Sequence, residues 1–206
     1  MPAPADLRAQ VAASYDSQDL PSWPNPHSDA KPPHDDEYSR VTEPSRYDIV
    51  HARAHIWASH LAGLKDVALD GTRLSSSRPG TLSLFLLTDN VPVMNAEDVT
   101  LAVLRVAVAR PDLVITTLPD CGCDACDWGS ADLLEAVDDA VLTVVGGPFV
   151  LLRNPKWHAQ WHPGGGSSGG TADHTAAMDL CRRLADGEDI QLPDDTEAFV
   201  GRSWFG

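Results

Sequence analysis

Apolar residues recur at three- and four-residue steps in three stretches of the chain. Over 44–64 Tyr47, Val50, Ala54, Trp57 and Leu61 make one stripe, the period of an α-helix with a buried face. Pro44 suits the first helical position and Gly63 marks the stop. Over 130–145 the stripe is Leu133, Val137, Ala140, Val141 and Val144, with Ser130 as the expected cap and Gly146-Gly147-Pro148 as the end. A third helix over 172–185 buries Ala177, Leu180, Cys181 and Leu184. Elsewhere the pattern is that of strands. The run 82–87 stops at Thr88-Asp89-Asn90, which reads as a turn, and 99–109 is β-branched. After Arg110-Pro111-Asp112 the run 113–118 returns as a hairpin. A second hairpin joins 149–153 to 157–162, with Trp157, Ala159 and Trp161 on one face and His158, Gln160 and His162 on the other. These elements predict an α+β fold, with three main helices packed on a mostly antiparallel sheet of about five strands.

Two stretches fall outside the pattern. Residues 1–40 are polar and Pro-rich, and low hydrophobicity cannot offset ordering entropy. They are expected to form a disordered tail, with at most a short helix over 6–14, ahead of a single domain over 41–206. Trp23 is expected to be a loosely held residue of that tail rather than an anchor. The run Gly164-Gly165-Gly166-Ser167-Ser168-Gly169-Gly170 lacks the Lys-Ser/Thr ending of a phosphate-binding loop and reads as a mobile connector. The end, 197–206, carries Phe199, Trp204 and Phe205, enough apolar surface to pack back on the domain.

Charge narrows the partners. Thirty acidic residues against fifteen basic give a net charge of −15. That field repels polyanions, so nucleic acid and anionic membrane are excluded, and a cation or a basic protein is the better match. Met-Pro-Ala-Pro-Ala-Asp has no secretory pattern, and no apolar run is long enough for a membrane helix. A cytoplasmic protein with reduced thiols is expected.

Against that background the chemistry concentrates in Pro119-Asp120-Cys121-Gly122-Cys123-Asp124-Ala125-Cys126-Asp127, with three of the four cysteines inside six positions. Clustered cysteines in a reducing compartment favour metal or redox work over a disulfide. Zinc is held by four Cys or His ligands in structural sites. Cys121, Cys123 and Cys126 supply three, and the expected fourth is His158 or His162. His51 and His55, four apart on the first helix, and Cys181 are weaker candidates, Cys181 because its stripe position makes it a buried hydrophobe. A dithiol switch is the second use of the same sulfurs, with Asp120, Asp124 and Asp127 expected to raise the thiol pKa values. A metal-free corner, its aspartates capping backbone N–H groups, is the third. On this last reading the protein is an acidic interaction module without enzymatic activity. No nucleophile elbow is present and no carboxylate pair stands out.

The run Leu118 to Asp127 resembles the signature of an uncharacterised bacterial family, a domain of unknown function. Three further runs carry the resemblance: Arg40-Val41-Thr42-Glu43-Pro44 with Arg46-Tyr47; Trp157-His158-Ala159-Gln160-Trp161-His162-Pro163-Gly164-Gly165; and Cys181-Arg182-Arg183-Leu184-Ala185-Asp186-Gly187-Glu188-Asp189 through Thr196 to Arg202. The resemblance spans residues 37–204 and implies a free-standing domain of this size. It implies no activity, cofactor or partner.

Overall fold

The structure, a computed structural model, describes residues 3–28, 31–93 and 99–205. In chain order the main elements are α1 (Pro4–Asp16), α2 (Ile49–Ala62), β1 (Val67–Asp70), β2 (Arg73–Ser76), β3 (Leu84–Pro92), β4 (Thr100–Val108) and β5 (Val114–Leu118). Then follow α3 (Ser130–Gly146), β6 (Phe149–Asn154), β7 (Trp157–His162), β8 (Gly165–Gly170), α4 (His174–Ala185) and β9 (Glu197–Gly201). The fold is α+β and its strands pair antiparallel throughout the described residues.

There are two sheets rather than one. The first runs β1-β2-β3-β4-β5 and the second β8-β7-β6-β9. The larger core joins α1, α2 and α3 to the first sheet through Leu7, Val11, Trp57, Leu61, Leu104, Val141 and their neighbours. A smaller core puts α4 on the second sheet, around Val150, Leu152, Ala159 and Cys181. Trp157 and Trp161 pack on this cluster, as their alternation predicts.

Residues 3–28 are not the disordered tail expected of them. Leu7, Val11 and Tyr15 recur every fourth position and are buried in the larger core. That stripe is narrow, and prolines on either side of it mask it in the composition. Thr88-Asp89-Asn90 is no turn either; β3 continues through it to Pro92, paired with β4. Gly165–Gly170 is strand β8, not a connector, in register with β7 from His162↔Gly165 to Trp157↔Gly170. Its glycines leave room for neighbours. A Cβ on Gly169 would meet the His158 ring at 2.5 Å, and one on Gly166 would meet the Met178 sulfur at 2.5 Å.

One polar group sits at the heart of the larger core. Arg53 of α2 donates to both carboxylate oxygens of Asp138 on α3, at 2.8 and 2.7 Å, and Trp57 Nε1 donates to the same carboxylate at 2.7 Å. Arg53 also donates to the Val11 carbonyl at 3.3 Å, and Arg8 approaches Asp138 at 3.5 Å. The network ties α1, α2 and α3 together.

Candidate metal centre

Strand β5 ends at a cis Leu118-Pro119 bond, and the chain then turns through the cysteines before α3 begins. Gly122 presses its backbone on Leu101 of β4, where a side chain would collide. Asp124–Cys126 form a single 3-10 turn, closed by Cys126 N–H donating to the Cys123 carbonyl at 3.0 Å. This turn folds the third sulfur back towards the first two. The ligand atoms of Cys121, Cys123 and Cys126 lie within 4.8 Å of one another. The Cys121 thiol donates to the Cys123 sulfur at 3.1 Å. Cys123 is buried, while Cys121 and Cys126 are exposed.

The sulfurs set one another's acidity. Burial raises the Cys123 pKa, but hydrogen bonds from Cys121, Cys126 and the backbone N–H groups of Cys126 and Ala125 outweigh it and bring it below the ordinary thiol value. Cys126 is pushed up to about 12, mainly because its proton is held on the Cys123 sulfur. Burial raises Cys121 as well. The corner therefore favours one thiolate, on Cys123, flanked by two thiols that donate to it.

Two of the three aspartates are spent on structure. Asp124 accepts from Arg40 Nε at 2.6 Å, from Thr42 N–H at 2.7 Å and from the Thr42 hydroxyl at 2.7 Å. The Arg40 and Thr42 hydrogen bonds overcome its desolvation and hold its carboxyl below the usual range. Asp127 is buried and pairs with Arg46 at 2.6 Å, accepts from Trp23 Nε1 at 2.9 and 3.0 Å, and receives the Gly129 N–H at 2.8 Å. Neither carboxylate is the main influence on the thiols, contrary to the expectation that the aspartates would raise them.

Trp23 is an anchor, correcting the sequence reading. Its ring meets Tyr47 edge-on at 5.6 Å, and the Arg46 guanidinium lies 4.8 Å from its centre. Its backbone exchanges hydrogen bonds with Ser130, Trp23 N–H to the Ser130 hydroxyl and Ser130 N–H to the Trp23 carbonyl, both at 3.1 Å. Ser130 thus serves this contact, and the cap position of α3 falls to Gly129. His27 bonds the Asp124 carbonyl at 2.9 Å. Residues 22–27 and 40–47 therefore brace the corner from two sides. Gly129 makes the close approach possible: its φ is +92°, and a Cβ there would lie 2.7 Å from the Asn25 nitrogen and 2.9 Å from the Pro24 carbonyl carbon. Gly129→Ala is expected to lower stability by about 1–3 kcal/mol, because backbone on both sides of the clash cannot rotate away. A urea titration reads that loss directly.

The other expected ligands lie elsewhere. His158 and His162 are on β7 in the second sheet, His158 against Gly169 and His162 beside a separate cleft with Gln160 and Ser167. His51 bonds the Val103 carbonyl at 2.9 Å, and His55 is exposed on α2. Cys181 is fully buried on the inner face of α4, as its stripe position predicts, and burial pushes its thiol up to about 11. Among the described residues no histidine, carboxylate or fourth cysteine joins the three sulfurs. The residues missed from sequence are Trp23, Arg40, Arg46 and His27. Arg40 and Arg46 carry the one usable signal, two cations flanking a helix start in a chain short of basic residues.

Fold and site together define a class: an α+β protein of two antiparallel sheets with a three-cysteine corner able to hold a metal ion. The chain belongs to the Family of unknown function (DUF6226), whose model matches residues 10–205. The match begins inside α1, so the second half of that helix lies within the family's extent. No curated protein and no solved structure compared with the chain matches it. Among the described residues no helix is long and apolar enough to cross a membrane.

Proposed function

We propose that the chain binds one zinc ion through Cys121, Cys123 and Cys126, as a three-thiolate centre with its fourth position open. The observation that carries this reading is the convergence of three sulfurs within 4.8 Å on a braced turn. Three soft donors at that spacing match zinc, which takes thiolates at about 2.3 Å in a tetrahedral shell. Structural zinc sites are closed by four protein ligands, whereas sites that work on a ligand keep one position free. With three sulfurs in the group, the open form fits better than the closed structural site. The carboxylate excess favours a cation or a basic protein surface as partner over any polyanion.

The protonation pattern makes binding pH-dependent with a defined sign. Cys123 offers a thiolate first, while Cys121 and Cys126 must each surrender a proton when the ion binds. Protons therefore compete with the metal, and affinity rises with pH below the raised thiol pKa values. From roughly pH 6 to pH 8 the apparent affinity is expected to gain at least about 100-fold per pH unit, the signature of the Cys121 and Cys126 protons released on binding. Competition against a chromophoric chelator across that range gives the slope. A slope near zero would contradict the thiol ligand set.

A further inference from the structure

A cleft of about 230 Å³ opens beside the corner, with Cys121 and Cys126 in its wall. Asp120, Asp132, Trp128 and Thr117 complete the parts that matter here. The carboxylates near the sulfurs are of two kinds. Asp124 and Asp127 are neutralised by Arg40 and Arg46. Asp120 and Asp132 are exposed, line the cleft, and face no lysine or arginine within ion-pair distance among the described residues. Trp128 is 55% exposed at the same cleft, its ring edge-on to His27 at 6.1 Å. An indole face is the best aromatic surface for a cation. Two unpaired carboxylates and an exposed indole thus line the same cleft as the two accessible sulfurs.

We propose that this cleft delivers an external fourth ligand to a metal held by the three cysteines, and that the ligand is a small molecule joining a thiol to a positively charged group. The inference rests on the zinc reading above. Three thiolates on a divalent ion leave a net negative centre, and Asp120 and Asp132 add to that field, so an anionic ligand is disfavoured and a cationic one is drawn in. Strong donation from three sulfurs blunts the ion's ability to acidify water, while a soft sulfur donor completes a four-sulfur shell. On binding, the ligand's S–H bond would break, its proton would pass to solvent, and its sulfur would take the open fourth position beside Cys121, Cys123 and Cys126. Asp120, Asp132 and Trp128 hold the positive group.

The test uses the full chain loaded with cobalt(II) and followed by its thiolate-to-cobalt absorption. Cysteamine, 2-mercaptoethanol and thioglycolate are added separately at fixed ionic strength; they carry a positive, a neutral and a negative group. The charge-transfer band is expected to grow with cysteamine at the lowest concentration and thioglycolate at the highest, about tenfold apart. The double variant Asp120→Asn/Asp132→Asn is expected to retain cobalt and lose that order. A three-thiolate spectrum that no thiol alters would overturn the inference and leave the zinc reading intact. An order unchanged in the double variant would overturn the role of the two carboxylates. No thiolate–cobalt band at all would sink the zinc reading itself, and with it this one.

Discussion

Cys123→Ser is expected to lower zinc affinity by at least about 100-fold, since even a partner outside the ligand set is commonly worth 10–100-fold. The residue is the buried member of the trio and the one whose thiolate is favoured before any ion arrives. Its sulfur also receives the Cys121 thiol at 3.1 Å, and serine puts a neutral, hard hydroxyl where that soft thiolate stood. Cys181→Ser makes the matched comparison. That thiol is buried in the second core, away from the corner, so its replacement should leave zinc affinity unchanged while reducing stability. Competition with a chromophoric chelator separates the two variants. Equal affinities in Cys123→Ser and the parent chain would rule out the corner as the binding site.

Asp138→Ala is expected to lower folding stability by about 3–5 kcal/mol, the usual result of removing one partner from a buried ion pair. Arg53 is only 4% exposed and would keep its charge with no carboxylate beside it, left with only the Val11 carbonyl at 3.3 Å. Trp57 Nε1 would lose its acceptor at the same time. Replacing both partners together, Arg53→Met with Asp138→Leu, should cost much less, because no uncompensated charge remains. Chemical denaturation of the three chains measures the difference. A double variant as unstable as Asp138→Ala would show that shape, not charge, governs this position.

The parts of the fold legible in the sequence were those whose evidence is local. The stripes of α2, α3 and α4 repeat over three or more turns, and the alternation on β7 fixes which face meets α4. A short helix over 6–14 is legible, but its docking on the core is not, because the stripe of α1 has only Leu7, Val11 and Tyr15 on a helix that is otherwise polar. Strand β8 escaped because glycine and serine carry no alternation; its pairing is dictated by His158 and Met178, which need the space. Strands β1 and β2 are four residues each, β1 largely exposed and β2 burying only Leu74, so neither leaves a hydrophobic run.

The candidate site divides along the same line. Cys121, Cys123 and Cys126 are legible because one short turn brings them together. Trp23 and Asp127 are 104 residues apart, and Arg40 and Asp124 are 84 apart. Nothing in local spacing announces such pairs. The pairing of His158 and His162 with the corner was an inference from their shared face on β7, and that face belongs to the other sheet. The distinction between spent and unpaired aspartates likewise depends on which arginines fold against them.

The most direct test of the zinc centre is elemental analysis of untagged protein purified without chelator, coupled to thiol titration of the native chain. One zinc per chain is expected, with the three corner thiols reacting only after a chelator is added and Cys181 only on unfolding. Metal-free protein that takes up no zinc, with Cys121 and Cys126 reacting at once, would contradict it.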